Sequence, residues 1–165
     1  MRAAMTGHMV LSTLHTNDSI STPIRLLDMG VPRYMVALSL QMVLAQRLVR
    51  VNCDVCAQPY ALAPNEHEWL RSELQENVDG HRYMRGAGCS NCANTGYLGR
   101  TGLYEMLEMT SDLAESLNVG DMNAFMRLAR EQVGTRTLGR DAARLAISGR
   151  TTVAEAMRVS SQFED

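Results

Sequence analysis

Residues 89–109 read CSNCANTGYLGRTGLYEMLEM. The stretch opens on a C-x-x-C pair and passes through glycine-rich sequence. It closes on an alternation, with Leu103, Glu105 and Leu107 on one side and Tyr104, Met106 and Glu108 on the other. Such an alternation predicts a strand from Gly102 to Met109. A second pair, Cys53-Asp54-Val55-Cys56, lies upstream, and 32 residues separate the two pairs. A two-residue gap lets both sulfurs of a pair reach one metal. Four thiolates then close a tetrahedron around Zn²⁺ with no open position, which is a structural rather than a catalytic site. Gly86 and Gly88 before Cys89, and Gly96 after Cys92, supply the backbone freedom such knuckles need. Iron in the same tetrahedron, disulfides and bare thiols are the alternatives. A lone C-x-x-C is commonly two core cysteines, but two pairs in polar, turn-rich settings argue against that here. A dithiol redox role would need one pair at a helix N-terminus, and neither pair is placed there.

The composition limits what surrounds this centre. The chain of 165 residues has room for one ordinary domain or two small ones. Apolar residues are 45% and charged residues 21%, the proportions of a folding sequence. Sixteen basic against eighteen acidic residues leave a net charge of −2, and Phe and Trp are scarce, so nucleic acid is not an expected partner. All the basic residues are arginine. Without a lysine, neither a Walker A phosphate loop nor a Schiff-base site can be complete within these residues. No apolar run has the length of a membrane span, and MRAAMTGH lacks signal-peptide architecture. Paired cysteines in that context point to a reduced compartment.

Working outward, GHMVLSTLHTN (residues 7–17) is an apolar run that turns polar. It predicts a buried strand from His8 to Leu14 with a site at its C-terminal end. A buried strand needs neighbours on both sides, so the chain is expected to be a piece of something longer. His8 and His15 flank this strand; taken alone, such histidines are more often structural than ligating. A helix carrying Ile20, Ile24 and Leu27 on one face should start after Asn17 or Thr22 and end at Gly30. Pro32 opens a second, nearly buried helix over 33–45, and a strand over 47–51 leads into Cys53. A helix from Pro64 to about Gln75 separates the cysteine pairs. After Thr110 four helices are expected: 112–118; 122–133 capped by Asp121; 138–148 ended by Gly149; and one opened by Thr152 and Glu155 as a capping box.

Several of these strings together resemble one family. TGHMVLSTLHTND (6–18) is similar to the histidine box of the secretion ATPases, the hexameric motors of type II secretion and type IV pilus assembly. AQRLVR before the first knuckle, the four cysteines, NTGYLGRTGLYEMLEM after the second, and GRTTVAEAMR (149–158) follow in the same order. The cysteines point to the assembly and secretion members.

The resemblance implies an α/β fold: residues 1–52 and 97–110 would be the end of a RecA-like ATPase domain. Residues 53–96 would be an inserted tetracysteine zinc module on Cys53, Cys56, Cys89 and Cys92, and 111–165 a C-terminal helical subdomain. It implies that His15 contacts the γ-phosphate side of a bound nucleotide, with His8 supporting it. ATP and Mg²⁺ would belong to the full-length parent, whose Walker A and Walker B motifs are absent from this chain. The expected setting is a cytoplasmic homo-hexamer, peripheral at the inner membrane through platform and adaptor proteins. Gln46, Arg47 and Arg100 match family strings without a decided role. A stand-alone zinc-ribbon adaptor that binds protein is the competing function.

Overall fold

Apolar residues occupy most positions from Met35 to Ala45, so the sequence alone does not separate helix from strand there. In the computed structural model, which describes residues 1–161, the division falls after Ser39. The elements are α1 (Arg2–Met5), α2 (Ser21–Asp28), α3 (Arg33–Ser39), β1 (Met42–Asn52), β2 (Ala57–Pro59), α4 (Pro64–Leu74), β3 (Met84–Gly86), β4 (Tyr97–Glu108), α5 (Ser111–Val119), α6 (Met122–Val133), α7 (Leu138–Ile147) and α8 (Val153–Ser160). This is a mixed α/β chain with two small sheets, β1 beside β4 and β2 beside β3. β1 and β4 run antiparallel: Met109 N–H donates to Gln41 C=O at one end, and Cys53 N–H to Gly96 C=O at the other.

Two expectations fail. The helix over 33–45 is cut short, because Val43, Ala45 and Val49 point inward while Met42, Leu44 and Leu48 point out, a two-residue period that only a strand satisfies. The buried strand from His8 to Leu14 is not formed. Residues 8–16 adopt neither helix nor strand, and Met9 and Leu11 are 92% and 89% exposed. A strand exists through its ladder of hydrogen bonds, and no described residue supplies one to this segment.

The chain folds into two compact units. The first comprises Met1–Ala45 and Glu105–Arg136. Its core gathers Val36, Val43, Leu107, Leu113, Leu117, Phe125 and Ala129, with α3 and α6 packed on α5. α2 begins where Asp18 Oδ1 accepts from Ser21 N–H (2.6 Å), which puts Pro23 in the third helical position. Thr110 and Asp121 cap α5 and α6 as the sequence predicts for Asp121. Glu105, predicted to lie with Leu103 and Leu107, is buried and accepts from both N–H and Oγ of Ser19.

The second unit comprises Gln46–Tyr104 and residues 137–161. Here α4 packs on α7 and α8, which pack on each other. Leu70, Leu74, Ala142, Ala146, Val153 and Ala156 are buried. The helices that follow Thr110 are thus shared between the units. The capping box predicted for α8 is half formed. Thr152 Oγ1 accepts from Glu155 N–H (3.1 Å), but the Glu155 carboxylate turns to Arg50 and Arg158 instead of to the backbone of Thr152.

Candidate metal centre

The ribbon of β2 and β3 brings the cysteine pairs together. β2 leaves directly from Cys56, and β3 ends three residues before Cys89, with Ala57 opposite Gly86 and Pro59 opposite Met84. Ala87 N–H donates to Cys56 C=O, so the second pair starts alongside the first. Each knuckle then turns back on itself: Cys56 N–H reaches Cys53 C=O, and Cys92 N–H reaches Cys89 C=O. The turn after Cys92 has Ala93 and Asn94 in left-handed conformation and closes on Gly96. Gly96 sits at φ +77°, and a Cβ there would stand 2.5 Å from the carbonyl oxygen of Gly86. Only glycine allows both the conformation and the approach.

The four sulfurs lie within 4.8 Å of one another. Cys53 and Cys89 are 3.9 Å apart, Cys56 and Cys92 3.9 Å, and Cys89 and Cys92 3.8 Å. A tetrahedron with metal–sulfur bonds of about 2.3 Å has edges of about 3.8 Å. The donor set and its spacing therefore fit a tetrahedral metal ion, and a metal ion could be held by Cys53, Cys56, Cys89 and Cys92. Bonded disulfides would need sulfurs about 2 Å apart, and all four cysteines are free.

N–H groups converge on the sulfurs. Cys92 Sγ accepts from the N–H of Cys89 and of Gly96, each at 3.3 Å, and the Asn91 amide donates to Cys53 Sγ at 3.7 Å. Burial opposes ionisation of Cys92, but those N–H groups and the sulfurs of Cys89 and Cys56 outweigh it and bring the thiol down to about 6. Cys53 is lowered the same way, with burial outweighed by the N–H of Val55 and the amide of Asn91. Burial and the neighbouring sulfurs push Cys56 up to about 12. A cation taken into the cluster would hold all four as thiolates and release their protons.

Residues that sequence reasoning did not single out hold the centre from behind. Asn52, next to Cys53, is 7% exposed. Its side-chain amide donates to the carbonyls of Met84 and Gly149, both at 2.9 Å, and its N–H donates to Arg150 C=O at 2.8 Å. A polar residue closing an apolar strand beside a metal-type cysteine was the available signal. Its partners lie 32 and 97 positions away, beyond any local pattern.

The histidines are elsewhere. His8 and His15 are both exposed in the irregular segment between α1 and α2, and His8 Nδ1 is 3.1 Å from Thr6 Oγ1. Of the other matched positions, Gln46 and Arg100 are exposed and Arg47 is half-buried. No helix among the described residues is long and apolar enough to cross a membrane.

Comparison with known proteins identifies the family of the chain. The family model described as type II/IV secretion system protein matches residues 1–158. A type II secretion system protein E of Xanthomonas campestris pv. campestris is 40% identical over 162 residues, 97% of this chain and 28% of its own length. The type II secretion system protein HxcR of Pseudomonas aeruginosa is 36% identical over 160 residues, covering 97% of this chain and 30% of that protein. A type IV pilus assembly ATPase PilB of Thermus thermophilus is 35% identical over 156 residues, 94% of this chain and 17% of its own. The chain thus spans less than a third of the length of each of these three relatives, and it belongs to the type II/IV secretion system protein family.

Proposed function

We propose that this chain is the part of a secretion or pilus-assembly ATPase that follows the nucleotide-binding motifs, and that its four-cysteine centre is a structural zinc site. The observation that carries the reading is the four-thiol cluster of Cys53, Cys56, Cys89 and Cys92, found together with a string, 6–18, that resembles a histidine box. It occurs in a chain similar over nearly its whole length to type II secretion proteins E and to a PilB ATPase. Zinc in such a site supplies rigidity alone, because four protein ligands leave no position for water or substrate. Cys53, Cys56, Cys89 and Cys92 hold it, and the N–H donors of Gly96 and Cys89 spread the charge of the thiolates.

In the longer protein, residues 1–52 and 97–110 complete a RecA-like domain, and 111–165 form its helical subdomain. The segment from His8 to Leu14 pairs there into the sheet, and His15 lies against the γ-phosphate side of ATP–Mg²⁺, donating a hydrogen bond to charge developing on a phosphate oxygen, with His8 supporting it. The assembly is a hexamer on the cytoplasmic side of the inner membrane, bound to platform and adaptor proteins. The 165 residues alone do not hydrolyse ATP, since positioning and charge neutralisation by a phosphate loop and metal-binding carboxylates supply most of phosphoryl-transfer catalysis.

Steady-state phosphate release tests this. The isolated chain is expected to show none. In the longer protein, His15→Ala is expected to lower kcat about a hundredfold while leaving the melting temperature unchanged. Hydrolysis by the isolated chain, or full turnover by the His15→Ala protein, overturns the assignment.

A further inference from the structure

Two of the segments that enter or leave the cysteine cluster, β1 and β4, are hydrogen-bonded to one four-residue turn, 149–152, between α7 and α8, and a third, β3, is tied to β1 by Asn52 and lies against Gly149. From β1, Arg50 C=O accepts from Thr151 Oγ1 (2.7 Å), Asn52 N–H donates to Arg150 C=O, and the Asn52 amide donates to Gly149 C=O. The same amide donates to Met84 C=O, on the strand that leads to Cys89. A Cβ on Gly149 would stand 2.8 Å from the Met84 side chain, so turn and strand are in close contact. From β4, Tyr97, one residue past Gly96, joins its hydroxyl to Thr152 Oγ1 at 2.7 Å. Thr152 in turn caps α8.

We propose that the turn 149–152 is a latch for the four-cysteine centre, and that Asn52 is the positioning residue that couples metal occupancy to the seating of α8. The inference rests on the zinc reading above. Asn52 touches no sulfur in this account. It acts by fixing the strand end that carries Cys53 against both the strand that leads to Cys89 and the helix turn. Coupling of this kind is reciprocal: whatever factor the latched turn adds to metal affinity, the metal adds to the closing of the turn. Loss of metal would loosen α8, and with it the hold of Glu155 on Arg50.

The test uses the full chain, zinc as the probe, and two readouts. Zinc affinity is measured by competition with a chromophoric chelator. Amide hydrogen exchange over 150–156 is compared in zinc-loaded and chelated protein, with α6 as an internal control. In the wild type, chelation should lower protection over 150–156 about tenfold or more and leave α6 unchanged. Asn52→Ala should weaken zinc binding about 10- to 100-fold, the usual effect of losing a residue that orients a ligand. It should also abolish the zinc dependence of protection in the turn. A merely structural Asn52 would lower protection equally with and without zinc, and that result would overturn the proposal. If Asn52→Ala does not fold, Tyr97→Phe removes a single hydroxyl and should act in the same direction by a smaller factor; zinc affinity and zinc-dependent protection equal to wild type in that protein would likewise overturn it. A wild-type chain that binds zinc with no change in the turn refutes the latch alone, whereas a wild-type chain that binds no zinc refutes the zinc reading and the latch with it.

Discussion

Arg50 and Glu155, separated by 105 positions, meet through a 2.6 Å hydrogen bond from Nη2 to Oε2, and the Arg50 N–H reaches the other carboxylate oxygen at 3.1 Å. Arg158 completes the arrangement from within α8, donating from Nε (3.0 Å) and Nη2 (2.8 Å). The Glu155 side chain is fully buried, while both guanidinium groups reach solvent. The buried charge is therefore compensated by four hydrogen bonds, one from the Arg50 N–H and three from guanidinium groups that stay partly hydrated.

A pH dependence follows. Burial works against the Glu155 carboxylate, but Arg158 and Arg50 outweigh it and hold it at about 2, below its ordinary 4.5. A depressed carboxylate stabilises the fold fully above its unfolded value and loses that contribution as pH falls through the folded value. Glu155→Gln should lower stability at pH 7 by about 1.5–3 kcal/mol, the worth of hydrogen bonds to a charged group, since the arginines it leaves behind reach solvent. The wild-type advantage should shrink between about pH 4.5 and about pH 2. Urea denaturation of both proteins at stepped pH checks this; a constant difference down to pH 2 would contradict it.

The glycines around the cysteine cluster separate steric from conformational cost. Gly96 and Gly99 share φ +77°, but an added Cβ meets the Gly86 carbonyl only at Gly96, and nothing within 4 Å at Gly99. Gly99→Ala should cost about 1–2 kcal/mol from the left-handed backbone alone. Gly96→Ala should cost more and lower metal affinity as well, because Gly96 also supplies an N–H to Cys92 Sγ. Thermal melts combined with metal titration distinguish the two; equal effects would contradict the close approach.

The first unit leaves apolar surface uncovered. Met9 and Leu11 are almost fully exposed, and Met42, Leu44 and Met106 are 53%, 56% and 46% exposed on the outward face of β1 and β4. Surface of this kind drives association. Light scattering of the isolated chain should show concentration-dependent self-association, reduced by Leu11→Ser with Leu44→Ser at unchanged melting temperature. Amides from Met9 to Leu14 should exchange rapidly in dilute protein. A monomer at every concentration, with those amides protected, would contradict this description of the unit.

Local chemistry was the legible part of the sequence. Asp121, Thr152 and Gly149 marked helix ends because caps depend on one residue and its near neighbours. Leu103, Glu105 and Leu107 share a face because residues two apart along a strand point the same way. The run at 42–45 hid its period because inward Val43 and Ala45 are flanked by outward Met42 and Leu44, all apolar. The cysteines were legible from spacing, but the latch behind them was not. Asn52, Met84 and Gly149 are joined by hydrogen bonds across long sequence gaps, and no periodicity encodes such a contact. The histidine segment misled for a related reason: its composition suits a buried strand, and burial depends on a partner rather than on composition.

Elemental analysis of protein purified without chelators tests the central claim most directly. The sulfur spacing of 3.8–3.9 Å and the four-thiol donor set predict one zinc per chain, bound strongly enough to fold the module, since structural zinc contributes about 10–16 kcal/mol in small zinc peptides. Cys89→Ser should release the metal and raise hydrogen exchange from Asn52 to Gly102. Metal-free protein in which all four thiols react freely while residues 52–102 remain protected would contradict the account.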